Sequence, residues 1–147
     1  MSCDPLGDFP AYFPPGCPFA LFPSARPVAA RVYRFVSGNP PAEADFTSHY
    51  VERPAHKKKW NTPTKLCKAC GLSVFLRAED ALRVRKHSPS LRGKLLAEGT
   101  IRPEAGVVAP TPRKGDSHHT WWLYNGAKPW TEFHVIAEEI RHERNAD

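Results

Sequence analysis

Apolar positions along the 147 residues come in short runs broken by proline, glycine and charge. Residues 28–36 (VAARVYRFV) are rich in β-branched and aromatic side chains and stop at Ser37-Gly38-Asn39-Pro40-Pro41, which predicts a strand. Pro41 suits a helix start, so a short helix is expected over 42–50, with Phe46 and Tyr50 one turn apart. Residues 53–70 read as a basic loop. The run LSVFL at 72–76, behind Gly71, predicts a buried strand, and 78–86 a helix that Ser88-Pro89 ends. Strands are expected over 94–101, with Gly99 as a break point, over 106–109, and over 120–124 on aromatic content. Phe133, Ile136, Ala137 and Ile140 make one apolar stripe, which predicts a helix over 132–144, although 133–136 also suits a strand. Strands and helices mix without strict βαβ alternation and no repeat is visible. The expected class is α+β: a single compact domain with a small mixed or antiparallel sheet and two to three helices.

Composition changes this picture at the N-terminus. Seven of the 16 prolines lie within residues 1–27, interleaved with Phe9, Tyr12, Phe13, Phe19, Leu21 and Phe22. Proline removes amide donors and biases its predecessor away from the helical region, so no regular helix or central strand fits there. A disordered arm would be poor in aromatics. Residues 1–27 are therefore expected as an irregular arm packed on the domain, and 28–147 as the domain itself. A signal peptide does not fit Asp4, Asp8 and the repeated prolines, and no window approaches a membrane span. Four cysteines are few for a secreted disulfide scaffold, so a reducing, cytoplasmic setting is expected.

Cys67-Lys68-Ala69-Cys70-Gly71 is the most specific chemical motif. A C-x-x-C turn aims two thiolates at one point, as in half of a tetrahedral zinc site. Cys67 and Cys70 are expected ligands, completed by Cys3, Cys17 or a histidine, with His119 preferred over His56 and His118. A reduced pair without metal is the plainer alternative.

His118-His119-Thr120-Trp121-Trp122-Leu123-Tyr124 carries a second signal. On a strand His118, Thr120, Trp122 and Tyr124 share one face, a row suited to holding a planar ring or a sugar. The competing expectation is a core strand whose tryptophans fill volume.

Charge adds the third. The net +6 conceals two acid-free stretches. One holds Arg53, Lys57, Lys58, Lys59, Lys65 and Lys68 around Trp60; the other holds Arg83, Arg85, Lys86, Arg92 and Lys94. Clustered cations with an interleaved aromatic neutralise phosphates and stack a base. A solvated basic surface is the bland alternative.

No Gly-rich phosphate loop, HExxH or GxSxG motif occurs. Asp45, Ser48 and His49 lie close in sequence, and Asp45 and His49 would share a face only within a helix over 42–50. Ser73 with His118 is a candidate nucleophile–base pair that only geometry can test.

The segments Tyr33-Arg34, Pro40-Pro41 with Asp45-Phe46-Thr47-Ser48, Cys67 to Phe75, Gly106-Val107-Val108 and His118 to Trp122 resemble a group of small uncharacterised bacterial proteins. That resemblance spans about residues 30 to 124 and implies no activity. Arg34 on an early strand and Ser73 on a later one also resemble ADP-ribosyltransferase-type folds, although no late acidic residue matches. The resemblance implies a nucleotide-directed transferase.

Three functions follow as expectations. The first is a binding module for a phosphate-bearing ligand, most plausibly nucleic acid. Lys57, Lys58, Lys59, Lys65 and Arg85 would meet phosphates, Trp60 or Trp122 would stack on a ring beside Tyr124, and zinc would fix the basic loop. The second is a nucleotide-directed transferase or hydrolase using Arg34, Ser73 and His118. The third is a structural or partner-binding protein that docks through its arm. No membrane partner is expected.

Overall fold

The structure, a computed structural model of the chain, describes residues 7–137. The fold is α+β, built on one six-stranded sheet. Its strands are β1 (Ala30–Val36), β2 (Leu72–Phe75), β3 (Leu95–Ile101), β4 (Gly106–Pro110), β5 (His118–Leu123) and β6 (Phe133–Val135). They lie in the order β4-β5-β2-β1-β3-β6, every pair antiparallel. Among the described residues three short α-helices accompany them, α1 (His49–Glu52), α2 (Pro63–Ala69) and α3 (Ala78–Lys86), with 3-10 turns between elements. No helix among the described residues is long and apolar enough to cross a membrane.

Strand parity divides the interior. On one face Val32, Leu72, Val74 and Trp121 pack with Phe46 and Phe133. On the other face two separate covers meet the sheet. Ala78 and Ala81 of α3 lie over Phe75 and Leu96, while the arm and α2 lie over Val107, Ala109, Trp122 and Tyr124. The gap between these two covers is where the cleft described below opens.

Residues 7–27 form turns and one isolated bridge, Arg26 with Val108. Phe9, Phe13, Phe19 and Phe22 pack against the sheet, with Phe22 tilted on Trp122 at 5.0 Å between ring centres. Cys17 of the arm is disulfide-bonded to Cys67 of α2. This covalent tie differs from the expectation that Cys67 is a zinc ligand or one thiol of a reduced C-x-x-C pair.

Helix α3 matches its expected span because local signals agree. Glu79 and Asp80 occupy the first turn and Arg83, Arg85 and Lys86 the last, as the helix dipole favours. Three other expectations are corrected. Residues 42–50 are not one helix: a 3-10 turn over Glu43–Phe46 ends at extended Thr47 before α1 begins. The basic loop contains α2, whose Thr62 side chain accepts the Lys65 amide and whose Pro63 takes a first-turn position. Residues 132–144 do not open as a helix: Pro129–Glu132 is a 3-10 turn, and the strand alternative for 133–136 holds as β6, pairing with β3. A Cβ at Gly99 would stand 2.3 Å from Cγ of Phe133, so the ring occupies the space a side chain would need. Residues 138–144 of that expected helix lie outside the described residues.

Candidate functional site

The sheet is open at its centre. β1 and β2 register at one pair only, Tyr33 with Phe75, whereas β1 and β3 stay in register over all of β1. Where β1 and β2 part, Arg34 fills the split. Its Nη1 donates to the Ser73 carbonyl at 2.8 Å and its Nε to the Asp45 carbonyl at 3.0 Å, while the guanidinium lies 5.4 Å from the Phe46 ring centre. Burial lowers the Arg34 pKa to about 10, which leaves it charged at neutral pH. Beside this split opens a cleft of about 570 Å³, within the size range of small-ligand sites.

Ser73 and His118 meet on the cleft wall. They are cross-strand neighbours because β2 and β5 pair Phe75 with His118 and Ser73 with Thr120. Ser73 Oγ lies 2.9 Å from His118 Nε2. His118 Nδ1 lies 3.0 Å from the Thr111 carbonyl and 2.8 Å from Thr111 Oγ1. A carbonyl only accepts, so the network assigns the ring proton to Nδ1 and leaves the Nε2 lone pair for the Ser73 hydroxyl. Thr111 Oγ1 in turn lies 2.9 Å from Thr120 Oγ1. Burial, then the Arg113 cation, lowers the His118 pKa to about 4. The imidazole is therefore neutral at physiological pH.

The cleft is electropositive. Arg53, Lys65, Lys68, Lys94 and Arg113 line it against two acids, Asp45 and Glu52. The Asp45 carboxylate is turned onto the loop, accepting the Ser37, Gly38 and Ala42 amides at 2.7, 3.3 and 2.9 Å. Burial followed by the Arg113 charge lowers the Lys68 pKa, and partial burial with the Arg53 and Arg34 charges lowers that of His49. For Lys68, His49 and His118 alike, burial is the first cause, and neighbouring cations add to it. Asp45 and His49 do not act as a pair, because extended Thr47 separates their turns.

Of the residues singled out in sequence, Arg34, Ser73, His118, Trp60 and Lys65 all line the cleft. Lys57, Lys58 and Lys59 sit on the adjacent 3-10 turn Pro54–Lys59, with Lys57 4.8 Å from the Tyr50 ring centre. Arg85 does not line it; Nη1 donates to the Lys94 carbonyl and the guanidinium stacks on Phe35. Trp122 and Tyr124 are on the expected face but buried beneath the arm, with Trp122 Nε1 donating to the Cys67 carbonyl at 2.8 Å. Sequence reasoning did not single out Thr111 or Arg113, and it named Lys94 only as part of the second basic stretch. Thr111 falls just beyond the expected strand over 106–109, and nothing local marks its carbonyl as the partner of a histidine seven residues on.

Among the described residues the donors expected for zinc are not gathered as a ligand set, and Cys3 lies outside those residues. Cys67 is bonded to Cys17, burial pushes the Cys70 thiol up to about 11, and His119 Nδ1 donates to the Ser117 carbonyl at 2.8 Å. Among the described residues no group of three or more His, Cys, Asp or Glu side chains is placed to hold a metal ion.

Compared with known proteins, the chain matches no family model, no curated protein and no solved structure.

Proposed function

We propose that the cleft binds a phosphate-bearing ligand, and that its partner is single-stranded nucleic acid presenting one nucleotide to the cleft. The observation that carries this reading is the ring of cations around a cleft that, among the described residues, only two carboxylates line, Glu52 and an Asp45 held by backbone amides. Lys57, Lys58 and Lys59 extend that charge outward along the rim, where a strand's backbone would run. Trp60, half-buried between Tyr50 and His56, offers a ring face for stacking. A duplex fits less well, since Lys65, Lys68 and Lys94 line a recess and not a flat stripe.

The test is fluorescence anisotropy of a labelled oligothymidylate at several salt concentrations, with a mononucleotide as competitor. Affinity should fall steeply with salt, and Lys57, Lys58 and Lys59 changed together to alanine should flatten that slope. Salt-independent or absent binding overturns the reading. Zinc enters only for the reduced protein, in which Cys17, Cys67 and Cys70 are all thiols; elemental analysis before and after reduction reports it. A second reading, a nucleotide-directed transferase or hydrolase, is favoured by the convergence of Arg34, Ser73 and His118.

A further inference from the structure

We infer that Ser73 is a nucleophile and His118 its general base, and that the substrate class is an acyl ester of a phosphate-bearing molecule. The phosphate part rests on the binding reading above; the serine chemistry rests on its own geometry. Three contacts carry it. Ser73 Oγ is in hydrogen-bond reach of a histidine nitrogen whose lone pair is free to accept. The other ring nitrogen is held by the Thr111 carbonyl, which fixes the tautomer as the carboxylate does in a Ser-His-Asp triad. Arg34, bonded to the backbone carbonyl of Ser73, fixes the strand that carries the hydroxyl and places a charge in the split beside the cleft. Thr111 is a positioning residue in this arrangement, acting through His118.

The reaction is written as acyl transfer. The Ser73 hydroxyl proton passes to His118 Nε2 as Oγ bonds the ester carbon. The ester C–O bond then breaks, and its alkoxide leaves with the proton from Nε2. Water attacks the acyl-serine through the same two proton movements, releases the acid and restores Ser73. An ester carbonyl develops one negative charge, which the cations lining the cleft favour. Phosphoryl transfer draws little on a serine–histidine pair, because its loose transition state depends chiefly on positioning and charge.

The intact chain is mixed with 4-nitrophenyl acetate, and nitrophenolate release is followed together with peptide mapping. The expected result is a burst near one equivalent per chain, an acetyl group on Ser73, and loss of both in Ser73→Ala with its melting temperature little changed. The burst rate should be flat above about pH 6 and fall toward pH 4 as His118 takes up a proton. Acetylation confined to lysines, or a burst unchanged in Ser73→Ala, overturns the serine chemistry whatever oligothymidylate does. Adenosine monophosphate should slow the burst several-fold. A Ser73 burst indifferent to it overturns the phosphate-bearing substrate and leaves the nucleophile standing.

Discussion

The two ends of β5 present alternate residues to the same face of the sheet yet have opposite fates. His118 and Thr120, at its start, reach the cleft; Trp122, two residues on, lies under the arm, as does Tyr124 just past the strand. Both ends are buried, but for different reasons. Trp122 is enclosed by Phe22 and Ala25, and Tyr124 by Phe9, 5.2 Å away between ring centres. His118 and Thr120 are enclosed by their own polar network with Thr111 and Ser73, which also forms part of the cleft wall. Alternation thus decides which face a residue joins. The covering segment decides whether that position becomes core or site.

The comparison can be broken most forcefully at the sealed end. Trp122→Ala removes a fully buried indole and its bond to the Cys67 carbonyl, so a loss of about 3–5 kcal/mol is expected in denaturant unfolding. A loss near 1 kcal/mol would mean that the arm is not a fixed cover.

Next in size is a pH effect at the open end. The unfolded histidine titrates near 6.5 and the folded one near 4, so the unfolded state holds the extra proton between those values. Stability should be fully present above about pH 6.5 and should fall by up to about 3 kcal/mol as pH drops toward 4. Asp80 and Asp116 add their own acid sensitivity at lower pH. Burial alone would raise both carboxyls, but Ser117 and Arg77 hold Asp80, and the Arg113 and His118 amides hold Asp116, below the usual range. Thermal melts across pH 4–7 should lose most of this upper slope in His118→Asn.

A smaller effect is expected where the two ends join. A Cβ at Gly71 would lie 2.3 Å from Thr120 Cγ2 and 3.1 Å from Trp122 Nε1, so Gly71→Ala should cost about 1–3 kcal/mol. The smallest belongs to Ser73→Ala, about 1 kcal/mol for one lost hydrogen bond beside solvent. That pairing of a small stability change with complete loss of acetyl transfer separates the open end from the sealed one.

Local signals located most of the sheet. β1, β2, β3 and β4 fall within a residue or two of the expected runs, and the face shared by His118, Thr120 and Trp122 follows from period-two alternation. Long-range pairing was not legible. The stripe through Phe133 and Ile136 fits a helix until β3 offers Gly99 as a seat for Phe133, and that partner lies 34 residues earlier in the chain (133 less 99). The cysteine motif misled for the same reason. C-x-x-C spacing pairs Cys67 with its near neighbour, whereas its bonded partner is Cys17, on an arm whose docking no local pattern records. At the cleft, Ser73 and His118 were named as a reactive pair on expected strands and Arg34 through a fold resemblance, and the three lie on one cleft. Thr111 and Arg113 act through a carbonyl and a field, which leave no mark in residue type.

The bridge between Cys17 and Cys67 closes a loop with a sequence separation of 50. That loop holds β1, Arg34 and the whole Lys57–Trp60 rim, so the tie constrains the unfolded chain through most of one wall of the cleft. In the chain-entropy model a loop of this length favours the folded state by roughly 4 kcal/mol, by impoverishing the unfolded ensemble and not by adding a contact. The redox poise of the surroundings therefore sets how readily this wall is assembled.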